Sequence, residues 1–181
     1  YEGNVYRVDR AGRTELFTEG MGIASGIAFD HDGNLYVGDR SGSIFKINSD
    51  KEIFVFATLD PSIAAYHLSF GFDDYLYVTG PTTSSFDSIY RISPKGEVER
   101  FFTGLGRPQG LAFDIEGHLY TVASYRGRRG IFRLRDPKKP ELVVAGLSLV
   151  GLAFDLQENL MVVDSASLYR VRLGIMGKPL P

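Results

Sequence analysis

The chain has 181 residues, 44% of them apolar, with 20 basic against 22 acidic side chains and no cysteine. The length suffices for one globular domain with a sizeable core, and the near-balanced charge gives no global drive toward nucleic acid or anionic lipid. Disulfides, thiolate metal sites and a cysteine nucleophile are excluded, no apolar run approaches a membrane span, and the 21 glycines and 8 prolines announce many short elements rather than long helices.

In chain order, Val5-Tyr6-Arg7-Val8 and Thr14-Glu15-Leu16-Phe17 open the series as two short β-branched or aromatic runs. A longer run, GIAFDHDGNLYV, follows from Gly26, and it returns as HLSFGFDDYLYV from His67, GLAFDIEGHLYTV from Gly110 and GLAFDLQENLMVV from Gly151, at intervals of 41, 43 and 41 residues. Three of the copies split at a turn signal (Asp32-Gly33, Asp73-Asp74, Glu116-Gly117), which predicts a hairpin. Downstream of each lies an aliphatic, aromatic, basic, aliphatic segment: 44–47, 89–92, 131–134 and 168–171, of which 5–8 is a fifth copy. A further apolar segment at 14–17, 52–55, 98–101 and 141–144 closes each unit but the last.

Four short strands per unit of about 42 residues predict an all-β propeller blade. A β-sandwich or another β-solenoid built from the same strands is the alternative. Residues 1–25 then end one blade, 26–66, 67–109 and 110–150 are blades, and 151–181 is an incomplete one. The small residues at 26, 110 and 151 and at 28, 112 and 153 suit a first strand crowded against the axis, and Phe29, Phe70, Phe113 and Phe154 are expected between neighbouring blades.

These runs, G-[IL]-A-F-D through G-x-L-Y-V followed by [IVL]-[FY]-[RK]-[IVL], resemble the NHL and the senescence-marker-protein/gluconolactonase/LRE-like groups of β-propellers over nearly the whole chain. The resemblance implies a ring commonly of six blades, and a range of roles that includes lactone hydrolases, calcium-binding proteins and interaction scaffolds. With four first-strand copies, the chain is expected to form part of a larger ring, its open blade edges covered by further blades or by a homo-oligomer.

In a repeat protein the functional information lies where one copy departs from its siblings. His67 stands where the others have glycine, and it follows Tyr66 where they have Ser25, Gln109 and Val150. An imidazole on a first strand faces the central channel and can serve as acid, base or hydrogen-bonding group; the opposite reading is a histidine bonded to a neighbouring loop. His31 and His118 fall at hairpin turns and are expected in solvent. The connection between second and third strands varies as well, lengthening to Pro81–Ser88 with Ser84 and Ser85, and to Ser124–Gly130 with Tyr125 and Arg126. The expected ligand-binding set is therefore Ser25, Tyr66, His67, Gln109, Ser84, Ser85, Tyr125 and Arg126, with His67 as the candidate catalytic group.

Asp30, Asp114 and Asp155 are read as acceptors of turn N–H groups and Asp39 and Asp164 as rim carboxylates. The arginines at 126, 128 and 129 are few for nucleic acid, because Arg133 belongs to the repeated basic position. The resembled lactonases hold a metal with a glutamate, two asparagines and an aspartate around the channel. Ser25, Tyr66, Gln109 and Val150 at the comparable places supply too little charge, so no metal ligands and no cofactor are assigned, and calcium or zinc would need ligands from elsewhere. The expected function is a binding module for a small polar molecule or a protein segment at one channel mouth. The alternative is a metal-dependent lactone hydrolase, and a distant third is a nucleic-acid or protein scaffold.

Overall fold

The computed structural model describes residues 3–80, 86–135 and 139–179. Every named element is a strand: β1 (Val5–Val8), β2 (Thr14–Thr18), β3 (Ala24–Phe29), β4 (Leu35–Asp39), β5 (Ser43–Ile47), β6 (Ile53–Thr58), β7 (His67–Phe70), β8 (Leu76–Thr79), β9 (Asp87–Ile92), β10 (Val98–Phe113), β11 (Leu119–Tyr125), β12 (Arg128–Leu134), β13 (Glu141–Ala145), β14 (Gly151–Phe154), β15 (Asn159–Val163) and β16 (Leu168–Arg172). Among the described residues no helix is long and apolar enough to cross a membrane.

All pairings between named strands are antiparallel between chain neighbours, giving a β1-β2 pair, blade A (β3 to β6), a seven-stranded run from β7 to β13, and a three-stranded blade D (β14 to β16). The seven-stranded run is two blades joined by one strand. β10 pairs through Val98–Leu105 with β9 as the outer strand of blade B, and through Gly106–Phe113 with β11 as the inner strand of blade C. Two separate strands are predicted here, and the chain instead stays extended between them. The change of blade is made by bulges and by left-handed residues inside it, Gly104 at φ 104°, Arg107 at 46° and Gly110 at 63°.

The inner turns of blades A, C and D and the outer turns use one device. An Asp, Asn or Ser side chain accepts the amides two and four residues on: Asp30 from Asp32 and Asn34, Asp114 from Glu116 and His118, Asp155 from Gln157 and Asn159, and likewise Asp9, Asn48 and Ser93 at the outer turns. The inner turn then needs one left-handed residue, supplied by Gly33 and Gly117 but also by Asp74 at φ 60° and Glu158 at 61°.

The inner strands β3, β7, the second half of β10 and β14 stand side by side in turn, each inner strand touching the next. Three of the four inner-strand Phe rings lie edge-on against the Tyr of the preceding blade's second strand: Phe70 on Tyr36 at 4.9 Å between ring centres, Phe113 on Tyr77 at 5.0 Å and Phe154 on Tyr120 at 5.1 Å. The core is thus a series of seams between blades, as the repeated Phe predicts. Each tyrosine hydroxyl bonds a turn carboxylate (Asp30 at 3.2 Å, Asp73 at 2.9 Å, Asp114 at 3.0 Å), and the repeated base of the third strand lies alongside. Burial and the nearby carboxylates push the Tyr77 and Tyr120 phenols up to about 12. Arg133 is therefore a blade-building residue, as its place in the repeat implies; it also meets Glu141 at 2.7 Å.

Candidate functional site

Because β3 runs down from its lead-in segment to the Asp30 turn, the lead-ins and the second-to-third-strand loops share one end of the channel, here called the top. The inner hairpin turns occupy the bottom. There the C-terminal segment crosses: Gly177 bridges Asp114, the Ile115 amide bonds the Met176 carbonyl at 2.8 Å, and the Lys178 amide bonds the Phe113 carbonyl at 2.8 Å. Between the inner strands and this segment lies a cavity of about 190 Å³ whose lining includes Ala28, Ser69, Ala112 and Ala153, the third residues of the four repeats.

His67 begins β7 at the top. Leu68 and Phe70 turn toward blade A, so His67 and Ser69 lie on the other face, toward blade C. The imidazole is partly buried, and burial holds its pKa below the ordinary 6.5. Directly opposite, on the same sheet face, is Thr79 of β8, fully buried, with a hydroxyl that has no hydrogen-bond partner among the described residues. A buried hydroxyl without a partner costs about 1–3 kcal/mol, so a polar guest that satisfied it would recover that amount. The sequence reading missed Thr79, since a threonine ending a strand is unremarkable until burial strands its hydroxyl.

The neighbours of His67 hold the lead-ins together. Ser25 donates its hydroxyl to the Gly38 carbonyl at 3.1 Å and accepts the Tyr66 amide at 3.1 Å, linking blade A to the start of blade B. Tyr66 is 0% exposed, packed over Gly38 and Gly80, with its hydroxyl donated to the Asp60 carbonyl. Burial, then Asp60, push its phenol up to about 12. A Cβ on Gly26 would fall 2.1 Å from the Tyr66 carbonyl oxygen, which explains the glycine at that repeat position.

Gln109, on the β10 stretch beside β7, accepts Arg129 at 3.0 Å. The same guanidinium donates to the carbonyls of Leu149 (3.2 Å), Gly106 and Arg107, and so fastens blade C to the lead-in of blade D. Burial, then the Arg107 charge, lower the Arg129 pKa. From sequence, Arg129 stands out only with Arg126 and Arg128 as arginines too few for nucleic acid, and it is not in the expected binding set.

Tyr125 stacks edge-on near Phe102 and Phe132 at 6.3 and 6.0 Å, and Arg126, left-handed at φ 48°, lies over the Tyr125 ring. Ser84 and Ser85 lie outside the described residues. Asp39 is buried and accepts the Ile23 amide at 2.7 Å and the Ser41 hydroxyl, while Asp164 accepts the amides of Ala166 and Ser167. Both carboxylates therefore build turns. His31 is exposed, but His118 is not in solvent as expected: its ring is largely covered and bonds Asp114 at 2.9 Å.

The metal implied by the resemblance does not fit the top of the channel. The Ser25 hydroxyl, the Tyr66 phenol and the Gln109 amide oxygen are all engaged within the protein, and the nearby Asp39 carboxylate is taken up by the Ile23 amide and the Ser41 hydroxyl. Among the described residues, the one His and acid cluster within ligand distance is Asp114, Glu116 and His118, at the bottom hairpin.

Comparison with known proteins bears on the fold. A family model described as strictosidine synthase-like, N-terminal, matches residues 26–47, which is β3 to β5 of blade A. No curated protein sequence matches the chain. Among solved structures, virginiamycin B lyase from Staphylococcus aureus superimposes with TM-score 0.66 at 18% identity, over 92% of this chain and 57% of that one. A gluconolactonase from Xanthomonas campestris gives 0.73 at 18% over 98% and 69%, and a chain of a nidogen/laminin complex 0.75 at 20% over 94% and 68%. The chain thus spans little more than half the length of the lyase. At such identities the likeness concerns architecture, and it agrees with the repeat and the seams: the chain is a β-propeller repeat protein with the blade fold of the gluconolactonase-type and NHL-type group.

Proposed function

We propose that this β-propeller is a binding module whose site is the top of the seam between blades B and C, and that it takes a small polar ligand carrying both a hydrogen-bond donor and an acceptor. The observation that carries the reading is the pair His67 and Thr79. One is the single imidazole on an inner strand, held by burial toward its neutral form, and the other, across from it, is a fully buried hydroxyl without a partner among the described residues. A neutral imidazole offers one donor and one acceptor nitrogen. Gln109 and Arg129, which bond each other, tie blade C to the lead-in of blade D and are not counted among the ligand-contacting groups. The small polar ligand class is favoured over a long peptide because the polar features converge on one residue pair.

A catalytic use of the same histidine is the second reading. It draws on the likeness to virginiamycin B lyase, of which a histidine-to-alanine variant is catalytically inactive, and to the gluconolactonase. Proton transfer by a neutral imidazole is the chemistry it would supply.

The test is a two-dimensional NMR titration of the imidazole resonances with D-gluconate and D-glucono-δ-lactone, before and after chelation, on the wild type, His67→Ala and Thr79→Val. Shifts confined to His67 and the seam, lost in both variants, support the binding reading. Chelator-sensitive turnover of the lactone would replace it by the hydrolase, and shifts absent or confined to the bottom hairpins would refute the site.

A further inference from the structure

The four inner hairpins turn at the bottom of the molecule, and their tips carry a pattern of their own. The residues after Asp30, Gly71, Asp114 and Asp155 are His31, Phe72, Ile115 and Leu156, and at least one of the next two is an acid in every blade: Asp32, Asp73 and Asp74, Glu116, and Glu158. Turn tips favour polar residues, yet three of these four place a large apolar side chain in solvent, Phe72 at 53%, Ile115 at 48% and Leu156 at 91% exposure. A single exposed apolar residue needs no explanation, whereas three at one repeat position on one end of the molecule mark a surface. Phe72 reaches the tip of the next blade, since a Cβ on Gly117 would lie 3.8 Å from its ring. Met176, itself 45% exposed and bonded through its carbonyl to the Ile115 amide, extends the patch.

The acids beside the apolar residues are open as well, the side chains of Asp32, Asp74 and Glu116 being about two-thirds exposed. The bases of the chain that come near show what such tips hold. His31, which stands in blade A where the other tips are apolar, lies between Asp32 of its own tip at 3.3 Å and Asp74 of the next at 3.6 Å. Arg135 approaches Glu116 at 3.8 Å. Lys178 sets its ammonium 5.3 Å from the centre of the Phe72 ring, where burial lowers its pKa against the pull of Asp74 and Asp73. The segment that carries Lys178 adheres to this face through the Met176 carbonyl and the Lys178 amide. Apolar tips alternating with carboxylates, to which a Met-Gly-Lys stretch already adheres, are complementary in charge and polarity to a segment that alternates apolar and basic residues.

We propose that the bottom face is a docking surface for a short extended segment of another protein in which basic and apolar residues alternate, the apolar side chains resting on Phe72, Ile115 and Leu156 and the bases on the tip carboxylates. An anionic membrane is disfavoured as the occupant, because the carboxylates would face its headgroups. The proposal rests on the turn tips and not on the His67 site at the other end of the channel, so either can fail alone.

The probe is a labelled peptide, Lys-Leu-Lys-Leu-Lys-Leu-Lys, titrated against the full chain by fluorescence anisotropy, with the backbone amides followed by NMR. Saturable binding is expected, with shifts at residues 72–74, 115–117 and 156–158. Affinity falls about tenfold when Phe72→Ser and Leu156→Ser are combined, and again about tenfold when Asp74→Asn and Glu116→Gln are combined. Asparagine tolerates the left-handed backbone of Asp74, all four side chains are exposed, and an unchanged amide spectrum away from the tips certifies each fold. A peptide with glycine in place of each leucine, or glutamate in place of each lysine, is expected not to bind. Absence of saturable binding, unchanged affinity in both variants, equal binding of the glycine peptide, or shifts confined to the His67 end would overturn the proposal. So would self-association through these tips in sedimentation, or their adhesion to phosphatidylglycerol vesicles.

Discussion

His67 shows how one residue in a repeat acquires a property its siblings lack. A glycine at this place carries no charge to desolvate, whereas an imidazole in the same seam is held below its ordinary pKa of 6.5 by burial. The unfolded chain therefore binds this proton more readily than the folded one. The stabilising preference for the neutral ring is fully present above pH 6.5 and is lost as pH falls through 6.5 toward the folded value. Replacing His67 with Gln removes that term. We expect the stability of His67→Gln, measured by urea denaturation, to fall less than that of the wild type between pH 7.5 and 5. Equal slopes for the two proteins would show that the imidazole is not desolvated. The residue was legible in the sequence because it breaks a pattern; Thr79 and Arg129 were not, since their importance lies in burial and in bonds to segments distant along the chain.

Between elements, the seams carry the energy. Phe113 is 6% exposed against Tyr77, while Phe29, the same repeat position in blade A, is 48% exposed because the β1-β2 pair has no second strand to bring a tyrosine against it. Truncating a buried aromatic costs about 3–5 kcal/mol, and an exposed one far less. Phe113→Ala is accordingly expected to lose about 3–5 kcal/mol and Phe29→Ala under about 1 kcal/mol in chemical denaturation. Similar losses for the two would mean that seam packing is not what holds the blades. The repeated Phe and Tyr announced these contacts, but which copy lacks its partner was settled by the arrangement of strands.

At the scale of the whole molecule, residues 175–179 join blade D to the bottom of blade C. Two backbone hydrogen bonds of 2.8 Å fix the crossing, and a Cβ on Gly177 would lie 2.2 Å from the Cβ of Phe154. Gly177→Val is expected to lift the segment, exposing the Ile115 and Lys178 amides to hydrogen exchange and lowering stability by about 1–3 kcal/mol, the worth of two such bonds. Unchanged protection of these amides would show that the crossing segment adapts. Nothing in the sequence around Gly177 signalled this contact, because it pairs with a hairpin turn some sixty residues earlier and belongs to no repeat.

What the sequence determined by itself is what local chemistry and periodicity encode. Strand-length apolar runs at intervals of 41 to 43 residues demand blades, Asp or Asn two residues before a turn centre satisfies the turn amides, and a Phe and a Tyr in fixed register specify the seam. What only the tertiary structure decided is which polar groups remain available. Ser25 and Tyr66 stand beside His67 in the sequence pattern, yet their hydroxyls are consumed in joining blades, while among the described residues the buried Thr79 hydroxyl has no partner. The reason is physical: a side chain's hydrogen-bonding state depends on every group that packing brings within about 3 Å of it, and most of those groups come from the neighbouring blade.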